Sequence, residues 1–246
     1  MSAVVAIFGA GTGLGASLAH RFGREGFSVA LVARRRARLD ALKDELQEAG
    51  IPAETFVSDF DDPSRMKALV TDIEARMGSI DVLEYGPVSA DLAFTPAKDL
   101  DAQALSALVP LFLLSPVERV AAVLPGMLER GRGSILLTQG SFAVTPLAFV
   151  SGPAPVMAAA RNYVHSLHGE LVGTGVYAGT LAIGASIDRS EMSVVAAAAG
   201  GGGSDGRGSV DPDDLAELYW QMHTRRDVVE IVHPSPRMPM TDGAAA

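Results

Sequence analysis

Short apolar runs alternate with amphipathic stretches along the chain. The runs are rich in Val, Ile, Leu and Ala, as buried strands are, and apolar residues between them recur at helical spacing. The predicted strands are residues 3–8, 28–33, 53–57, 80–85, 134–138, 176–183 and 228–232. The predicted helices are residues 14–25, 35–49, 63–77, 154–172 and 213–223, with a long, mostly helical stretch at 101–128 that two prolines interrupt.

Near-continuous apolar strands separated by helices predict a parallel sheet that is covered on both faces. The sequence therefore predicts an α/β protein with a doubly wound Rossmann fold, in which helices cover both faces of a parallel sheet of about seven strands. Because no repeat or linker divides the chain, residues 1–246 are expected to form one domain. Residues 241–246 are expected to fray at the end of it.

Composition narrows the classes of function. Hydrophobic residues make up 48% and charged residues 20% of the chain, which is typical of a globular protein. The chain has no cysteine, which excludes disulfides, thiolate catalysis and cysteine-bound zinc and makes the cytoplasm the expected location. The net charge of −9 argues against nucleic-acid binding. No uninterrupted apolar run is long enough to cross a bilayer, so no membrane contact is expected.

A glycine-rich segment lies between the first predicted strand and the first predicted helix. Glycines allow a sharp turn and a close approach of the backbone to a pyrophosphate, and the helix that follows offers free N–H groups to it. This context predicts a dinucleotide site, although a tight turn without a ligand is the alternative. The predicted contacts are Gly9, Gly11, Thr12, Gly13, Leu14 and Gly15.

Arginines follow the second predicted strand, where an NAD-binding protein keeps an acidic residue for the ribose 2′-hydroxyl. A guanidinium group instead pairs with a 2′-phosphate. Arg34 and Arg35 are therefore expected to favour NADP(H) over NAD(H). Arg36 and Arg38 are expected only to face solvent at the start of a helix.

These features resemble the short-chain dehydrogenase/reductase family over nearly the whole chain, and the spacing of Gly9, Gly13 and Gly15 is similar to its glycine signature. The resemblance implies a substrate lid at residues 190–209, although the Ala- and Gly-rich part of that segment could equally be slack without function. It also implies a homodimer or homotetramer built through the helices at 101–128 and 154–172. Further cofactor contacts are implied for Asp59, Phe60, Tyr85, Gly86, Pro87, Ile183, Gly184 and Ile187.

The catalytic half departs from the family pattern. The family uses a Tyr with a Lys four residues later, a Ser upstream of them and an Asn on the preceding helix. Here the Tyr and Lys positions fall at Pro153 and Met157, or at Ser151 and Pro155 in the other register. The Ser position falls at Gly140, and the Asn region reads Val-Pro-Leu-Phe. No tyrosine in the chain has a lysine four residues after it.

Tyr85 and Ser141 are the candidates to replace these groups. Tyr85 ends the fourth predicted strand, at the crevice where such sheets bind ligands, and could donate a proton or only pack. Ser141 follows the fifth predicted strand and could hydrogen-bond a substrate or serve only the turn. His165 and His168 are three residues apart, but no third ligand is evident, so no metal is predicted.

Two functions remain open. The first is an NADP(H)-dependent oxidoreductase with a non-standard active site that reduces a small hydrophobic carbonyl or imine. An iminium substrate already carries positive charge, so it needs less acid assistance than a ketone. The alternative is an NADP(H)-binding protein without redox activity, such as a sensor, or a non-redox enzyme such as a cyclase or isomerase.

Overall fold

Seven parallel strands form the central sheet of the computed structural model, which describes residues 2–88, 92–198 and 208–235, without the side chains of 196 and 197. The sheet order is β3-β2-β1-β4-β5-β6-β9, and β7 and β8 pair separately. This order confirms the predicted Rossmann fold. The strands are β1 (Val4–Phe8), β2 (Ser28–Ala33), β3 (Ala53–Val57), β4 (Ile80–Tyr85), β5 (Gly133–Gly140), β6 (Val176–Ile183), β7 (Ser186–Ile187), β8 (Ser209–Val210) and β9 (Glu230–His233).

Helices cover both faces of this sheet. One apolar core lies between the sheet and α1, α2 and α8, and a second lies between the sheet and α3, α5 and α6. Alternate strand residues divide between them, so Val5 and Ile7 face the first core while Ala6 and Phe8 face the second. The helices are α1 (Leu14–Arg24), α2 (Arg36–Glu48), α3 (Met66–Met77), α4 (Ala102–Val109), α5 (Ser115–Arg130), α6 (Pro153–Glu170), α7 (Glu191–Ala198) and α8 (Pro212–Arg225).

The predicted helical stretch at 101–128 is continuous despite its prolines. A π-helical turn at Pro110–Leu114 joins α4 to α5. Pro110 has no N–H to donate to the preceding turn, and the wider turn begins at this residue. By length and mean hydropathy, Ala102–Arg130 could span a bilayer. The search for uninterrupted apolar runs in the sequence did not predict such a helix. Its buried face packs on the domain through α3, α6 and the sheet, as a core helix does.

The segment predicted as a lid at 190–209 begins with a helix. The α7 helix covers Glu191–Ala198, so this part is regular structure and not an irregular loop. Just before it, β7 pairs with β8 in a separate two-stranded ribbon. Residues 199–207, and the tail 241–246 that was expected to fray, lie outside the described residues. The lid function itself stays a prediction.

Candidate cofactor and active site

The glycine turn follows β1 directly and leads into α1. Gly9 has φ +109°, and a Cβ there would lie 2.8 Å from the backbone of Pro87. A Cβ at Gly15 would lie 2.7 Å from the Ala10 Cα. Side chains at these two positions would push the turn away from β4 and from α1, so glycine keeps the turn tight. No side chain caps the α1 N-terminus at Gly13 and its first turn holds no acid, so its free N–H groups suit an anion.

A cluster of arginines lies at the end of β2, beside this turn. Both nitrogens of the Arg35 fork donate to Glu191, one of them to Oε1 at 2.7 Å. Arg38 also donates to Glu191 Oε1 at 3.0 Å, although the sequence predicted only a solvent-facing role for it. These hydrogen bonds, first those from Arg35, lower the pKa of Glu191 to about 2. Arg34 is exposed next to them.

Phe60 and Tyr85 come together on the α5 side of the sheet. Their rings meet edge to face, with centroids 6.2 Å apart, and both side chains are buried. Asp59, which precedes Phe60, is exposed at the end of β3. The structure thus places these two predicted cofactor contacts at the sheet edge, with the carboxylate toward solvent.

A buried arginine that sequence reasoning missed lies beneath these rings. The Arg119 side chain on α5 is fully buried, and its guanidinium carbon lies 4.6 to 4.8 Å from the ring centroids of Phe8, Phe60 and Tyr85. Within the described residues, none of its nitrogens has a hydrogen-bond acceptor. Burial lowers the pKa of Arg119 to about 10, and the Tyr85 phenol offsets this only in part. Three aromatic rings and the Tyr85 phenol therefore surround the cation, and no carboxylate is among the groups that shift its pKa.

The hydroxyl of Tyr85 is already engaged. It donates a 2.6 Å hydrogen bond to the carbonyl of Leu111 in the π-helical turn. Burial raises the pKa of the phenol well above its ordinary value. This placement favours packing over proton donation, and the catalytic role of Tyr85 stays a prediction. Gly86 and Pro87 follow it at the crevice and pack against Gly9.

Ser141 and Gly184 meet where β5 and β6 end. A Cβ at Gly184 would lie 3.0 Å from the Ser141 Oγ, so the hydroxyl lies against the backbone of that segment. Gly184 also donates its N–H to the carbonyl of His233, which fixes the segment to β9. Ile183 ends β6 and is buried, whereas Ile187 lies in β7 and is half-buried. The structure therefore gathers these predicted contacts at one edge of the sheet.

Apolar side chains fill the region where the family's proton-handling residues would stand. A Cβ at Gly140 would lie 2.1 Å from the Cζ of Phe142, so that ring occupies the space of a side chain at this position. Pro153 and Met157 are both buried at the start of α6. Phe112, in the π-helical turn, belongs to the same cluster. The arrangement offers an apolar surface here, with the Ser141 hydroxyl at its edge.

A buried acid lies under the crevice on the opposite side of the sheet. The Thr138 hydroxyl donates to Glu84 Oε1 at 2.5 Å and lies 2.5 Å from the hydroxyl of Tyr219. Burial raises the pKa of Glu84 to about 8, and the bond from Thr138 only partly opposes it. Glu84 is therefore mostly protonated at neutral pH. A Cβ at Gly86 would lie 2.6 Å from the Thr138 Oγ1 and 2.7 Å from the Glu84 Oε1, so glycine leaves room for this pair.

The two histidines on α6 have other partners. His165 lies 3.4 Å from Glu230, and the ring of His168 lies 2.8 Å from the carbonyl of Ala178. Across the described part of the chain, no three His, Asp or Glu side chains converge as a metal site would require.

With this geometry established, the family can be assigned. The family model described as short chain dehydrogenase matches residues 3–196. Because the match covers well over half of the chain, the protein belongs to the short-chain dehydrogenase family.

Relatives with similar sequences carry oxidoreductase names. A short chain dehydrogenase from Pseudocercospora fijiensis is 30% identical over 170 residues, 69% of this chain and 55% of its own. A sulfoacetaldehyde reductase from Chromohalobacter salexigens is 29% identical over 233 residues, 91% of this chain and 89% of its own. An NADP-dependent 3-hydroxy acid dehydrogenase from Salmonella typhi is 28% identical over 246 residues, 98% of this chain and 97% of its own. The chain thus spans about half of the first relative and most of the other two.

Solved structures share the fold. A 3-oxoacyl (acyl-carrier-protein) reductase from Agrobacterium tumefaciens with NADP bound superposes with a TM-score of 0.83 at 20% identity, covering 94% of this chain and 92% of that one. An NADPH-bound short chain oxidoreductase from Pseudomonas aeruginosa has a TM-score of 0.80 at 20% identity, covering 96% of this chain and 97% of that one. That structure is described as containing an atypical catalytic center. At these identities the likeness concerns the fold alone.

Proposed function

We propose that the protein is an NADP(H)-dependent oxidoreductase with a non-standard active site, acting on a small hydrophobic carbonyl or imine. One observation carries the cofactor assignment. The guanidinium groups of Arg35 and Arg38 converge on one anionic group beside the uncapped N-terminus of α1. Two such forks suit the 2′-phosphate that distinguishes NADP(H) from NAD(H). The NADP-dependent relative and the NADP-bound structures support the same choice.

The described residues fit the adenosine and diphosphate part of such a cofactor. The tight turn at Gly9 and Gly15 leaves backbone N–H groups facing outward at the start of α1. Arg34, Arg35 and Arg38 would hold the 2′-phosphate. Asp59 and Phe60 would border the adenine. On the other side, Gly86, Pro87, Ile183, Gly184 and Ile187 would border the nicotinamide end. When bound, the nicotinamide supplies or accepts hydride.

The chain's own residues in the reaction region would orient and enclose the substrate. Phe112, Phe142 and Met157 exclude water there, and Ser141 Oγ can hydrogen-bond a polar atom at the edge. A carbonyl oxygen needs a proton as hydride arrives, whereas a protonated imine does not. Aromatic faces, such as the Phe94 and Phe142 rings with centroids 5.1 Å apart, also stabilise a cation. These features favour an imine among the substrates considered.

The Phe142 ring also favours a second candidate function. Because it fills the space above Gly140, the same geometry suits a protein that binds NADP(H) without redox chemistry. A non-redox enzyme such as a cyclase or isomerase belongs to this alternative. The two functions predict the same cofactor affinity and differ only in turnover.

Calorimetry and a turnover assay test these proposals in sequence. We expect the purified protein to bind NADPH more tightly than NADH. Arg34→Ala and Arg35→Ala should weaken NADPH binding, while Arg36→Ala, at the neighbouring exposed arginine, should not. The absence of NADPH binding by folded protein would overturn the cofactor assignment. Absorbance of NADPH with a panel of ketones, aldehydes and cyclic imines then separates an oxidoreductase from a binding protein.

We further propose a cytoplasmic homodimer or homotetramer built through α4, α5 and α6. Leu114 and Leu128 lie on the hydrophobic helical stretch Ala102–Arg130 and are 44% and 42% exposed. Such residues are typical of a covered interface. Light scattering of the wild type and of Leu128→Glu tests this assembly, which predicts a smaller species for the variant.

A further inference from the structure

The residues just before α7 lie across the predicted diphosphate site. The Thr12 hydroxyl donates to the carbonyl of Arg189 at 2.8 Å. A Cβ built on Gly13 would lie only 3.0 to 3.2 Å from the Cβ, Cα and N of Ser190. This segment therefore touches the start of α1, where the free N–H groups lie.

The same segment places a carboxylate on the arginine cluster. Glu191 is the first residue of α7, and both of its oxygens are engaged by Arg35 and Arg38. The Glu191 side chain is 30% exposed and that of Arg35 is 54% exposed, so these are partly exposed surface ion pairs that a ligand can reach. A carboxylate held by two guanidinium forks has the charge sign and the acceptor geometry of a phosphate.

The backbone conformation of Arg189 depends on its surroundings. Arg189 has φ +61°, the left-handed region that a residue with a side chain rarely adopts. Its guanidinium pairs with Asp211 at 2.7 Å and with Asp213 at 2.9 Å. These contacts hold an unfavourable conformation in place, and such residues are suited to act as hinges.

We propose that Glu191 occupies the position of the cofactor's 2′-phosphate in the cofactor-free protein, so that NADP(H) binds by displacing residues 189–191. The inference rests on the proposed function, because it requires that Arg35 and Arg38 receive that phosphate. Glu191 is then a specificity-determining residue. It weakens the binding of every 2′-phosphorylated ligand by the free energy of its own ion pairs, and it links occupancy of the phosphate site to release of α7.

Two small ligands that differ only in the 2′-phosphate test this proposal. We expect Glu191→Gln to tighten binding of 2′,5′-ADP about threefold or more, the range of a partly exposed ion pair. Binding of 5′-AMP should not change, because it has no group for the arginine cluster. Glu217→Gln, on α8, removes a comparable carboxylate from Arg21 of α1 and should leave both affinities unchanged. Thermal unfolding of each variant checks that it is folded.

Hydrogen exchange provides a second measurement of the same displacement. Amides of Glu191–Ala198 should exchange faster when 2′,5′-ADP is bound than when 5′-AMP is bound. If Glu191→Gln leaves the ratio of the two affinities unchanged, or weakens 2′,5′-ADP, the displacement is wrong while the proposed function stands. If neither the wild type nor Glu191→Gln binds NADPH or 2′,5′-ADP, the NADP(H) assignment itself fails.

Discussion

Thr138 donates a 2.5 Å hydrogen bond to Glu84 beneath Gly86, and the Glu84 side chain is buried while Thr138 is half-buried. The pairing accounts for a buried acid in a strand whose other buried residues are hydrophobic. It satisfies one carboxyl oxygen without ionising the group, since a hydroxyl donates to it and no cation lies among the residues that shift its pKa.

Glu84 should make the fold less stable as the pH rises. Its pKa is 4.5 in an unfolded chain and about 8 in the folded protein, so between these values the folded state binds one proton more. Glu84 alone should lower the free energy of unfolding by up to about 1.4 kcal/mol per pH unit over that window. Glu84→Gln removes the titration and should abolish this decrease. Urea unfolding between pH 5 and 9 measures the change in stability with pH. Glu48→Gln, at an exposed glutamate, is the control and should keep the wild-type pH dependence.

His223 should have the opposite effect. Its imidazole lies 2.8 Å from the Ser134 hydroxyl and among the rings of Phe22, Phe27 and Trp220, and burial lowers its pKa from 6.5 to about 4. Below pH 6.5 the unfolded state binds the extra proton, so stability should fall as the pH decreases toward 4.

In the wild type, the two opposing slopes should nearly cancel between pH 5 and 6.5, and stability should fall above 6.5. In His223→Asn the opposing slope is gone, so the free energy of unfolding should fall with rising pH from pH 5 onward. Urea unfolding over the same pH range measures both proteins. If the pH dependence of stability were the same in His223→Asn as in the wild type, the pKa of His223 would not differ between the folded and unfolded states.

The sequence predicts the sheet and the glycine turn well because both depend on local pattern. The apolar runs locate β1 to β6 within two residues, and glycines between a strand and a helix leave few alternatives for the turn at Gly9. The last strand, Glu230–His233, also lies within two residues of its predicted bounds.

The missed parts of the site depend on contacts between distant segments. Glu191 lies 153 residues from Arg38 along the chain, and no local pattern indicates that they pair. Arg119 interrupts an apolar helical face, and a charged residue is normally expected on the outside of such a helix. The Phe142 ring reaches Gly140 only because a short turn at Ser141–Ala143 folds it back.

Arg119→Met should stabilise the protein. The lowered pKa of Arg119 shows that its site disfavours the cation even with three rings around it. A buried charge without an opposite charge beside it costs several kcal/mol, while each cation–π contact returns about 0.5–2 kcal/mol. Met has a similar shape and no charge, so the free energy of unfolding should rise. Arg119→Ala should lower it by about 2–5 kcal/mol through the cavity left behind. A Met variant less stable than the wild type would show that the rings outweigh the desolvation.

Tyr85→Phe separates packing from catalysis. The change leaves the Leu111 carbonyl without its donor, which should lower stability by about 1–3 kcal/mol. Because the hydroxyl is engaged and buried, turnover of any active substrate should change little. The readout is kcat measured with NADPH at saturating substrate, with Ser141→Ala assayed in parallel. A drop in kcat of a hundredfold or more for Tyr85→Phe, about the contribution of a general acid, would instead make Tyr85 the proton donor.

The contact of Phe142 with Gly140 can be measured by a double-mutant cycle. Gly140 has φ −79° and ψ 145°, which any residue adopts, so the nearest obstacle to a side chain there is the Phe142 ring. Gly140→Ser should therefore destabilise the wild type by about 1–3 kcal/mol, the usual effect of overpacking. In a Phe142→Ala background the same substitution should be close to neutral, because the ring is gone. Urea unfolding of the four proteins gives the coupling energy, and equal effects of Gly140→Ser in both backgrounds would mean that the ring does not fill this space in solution.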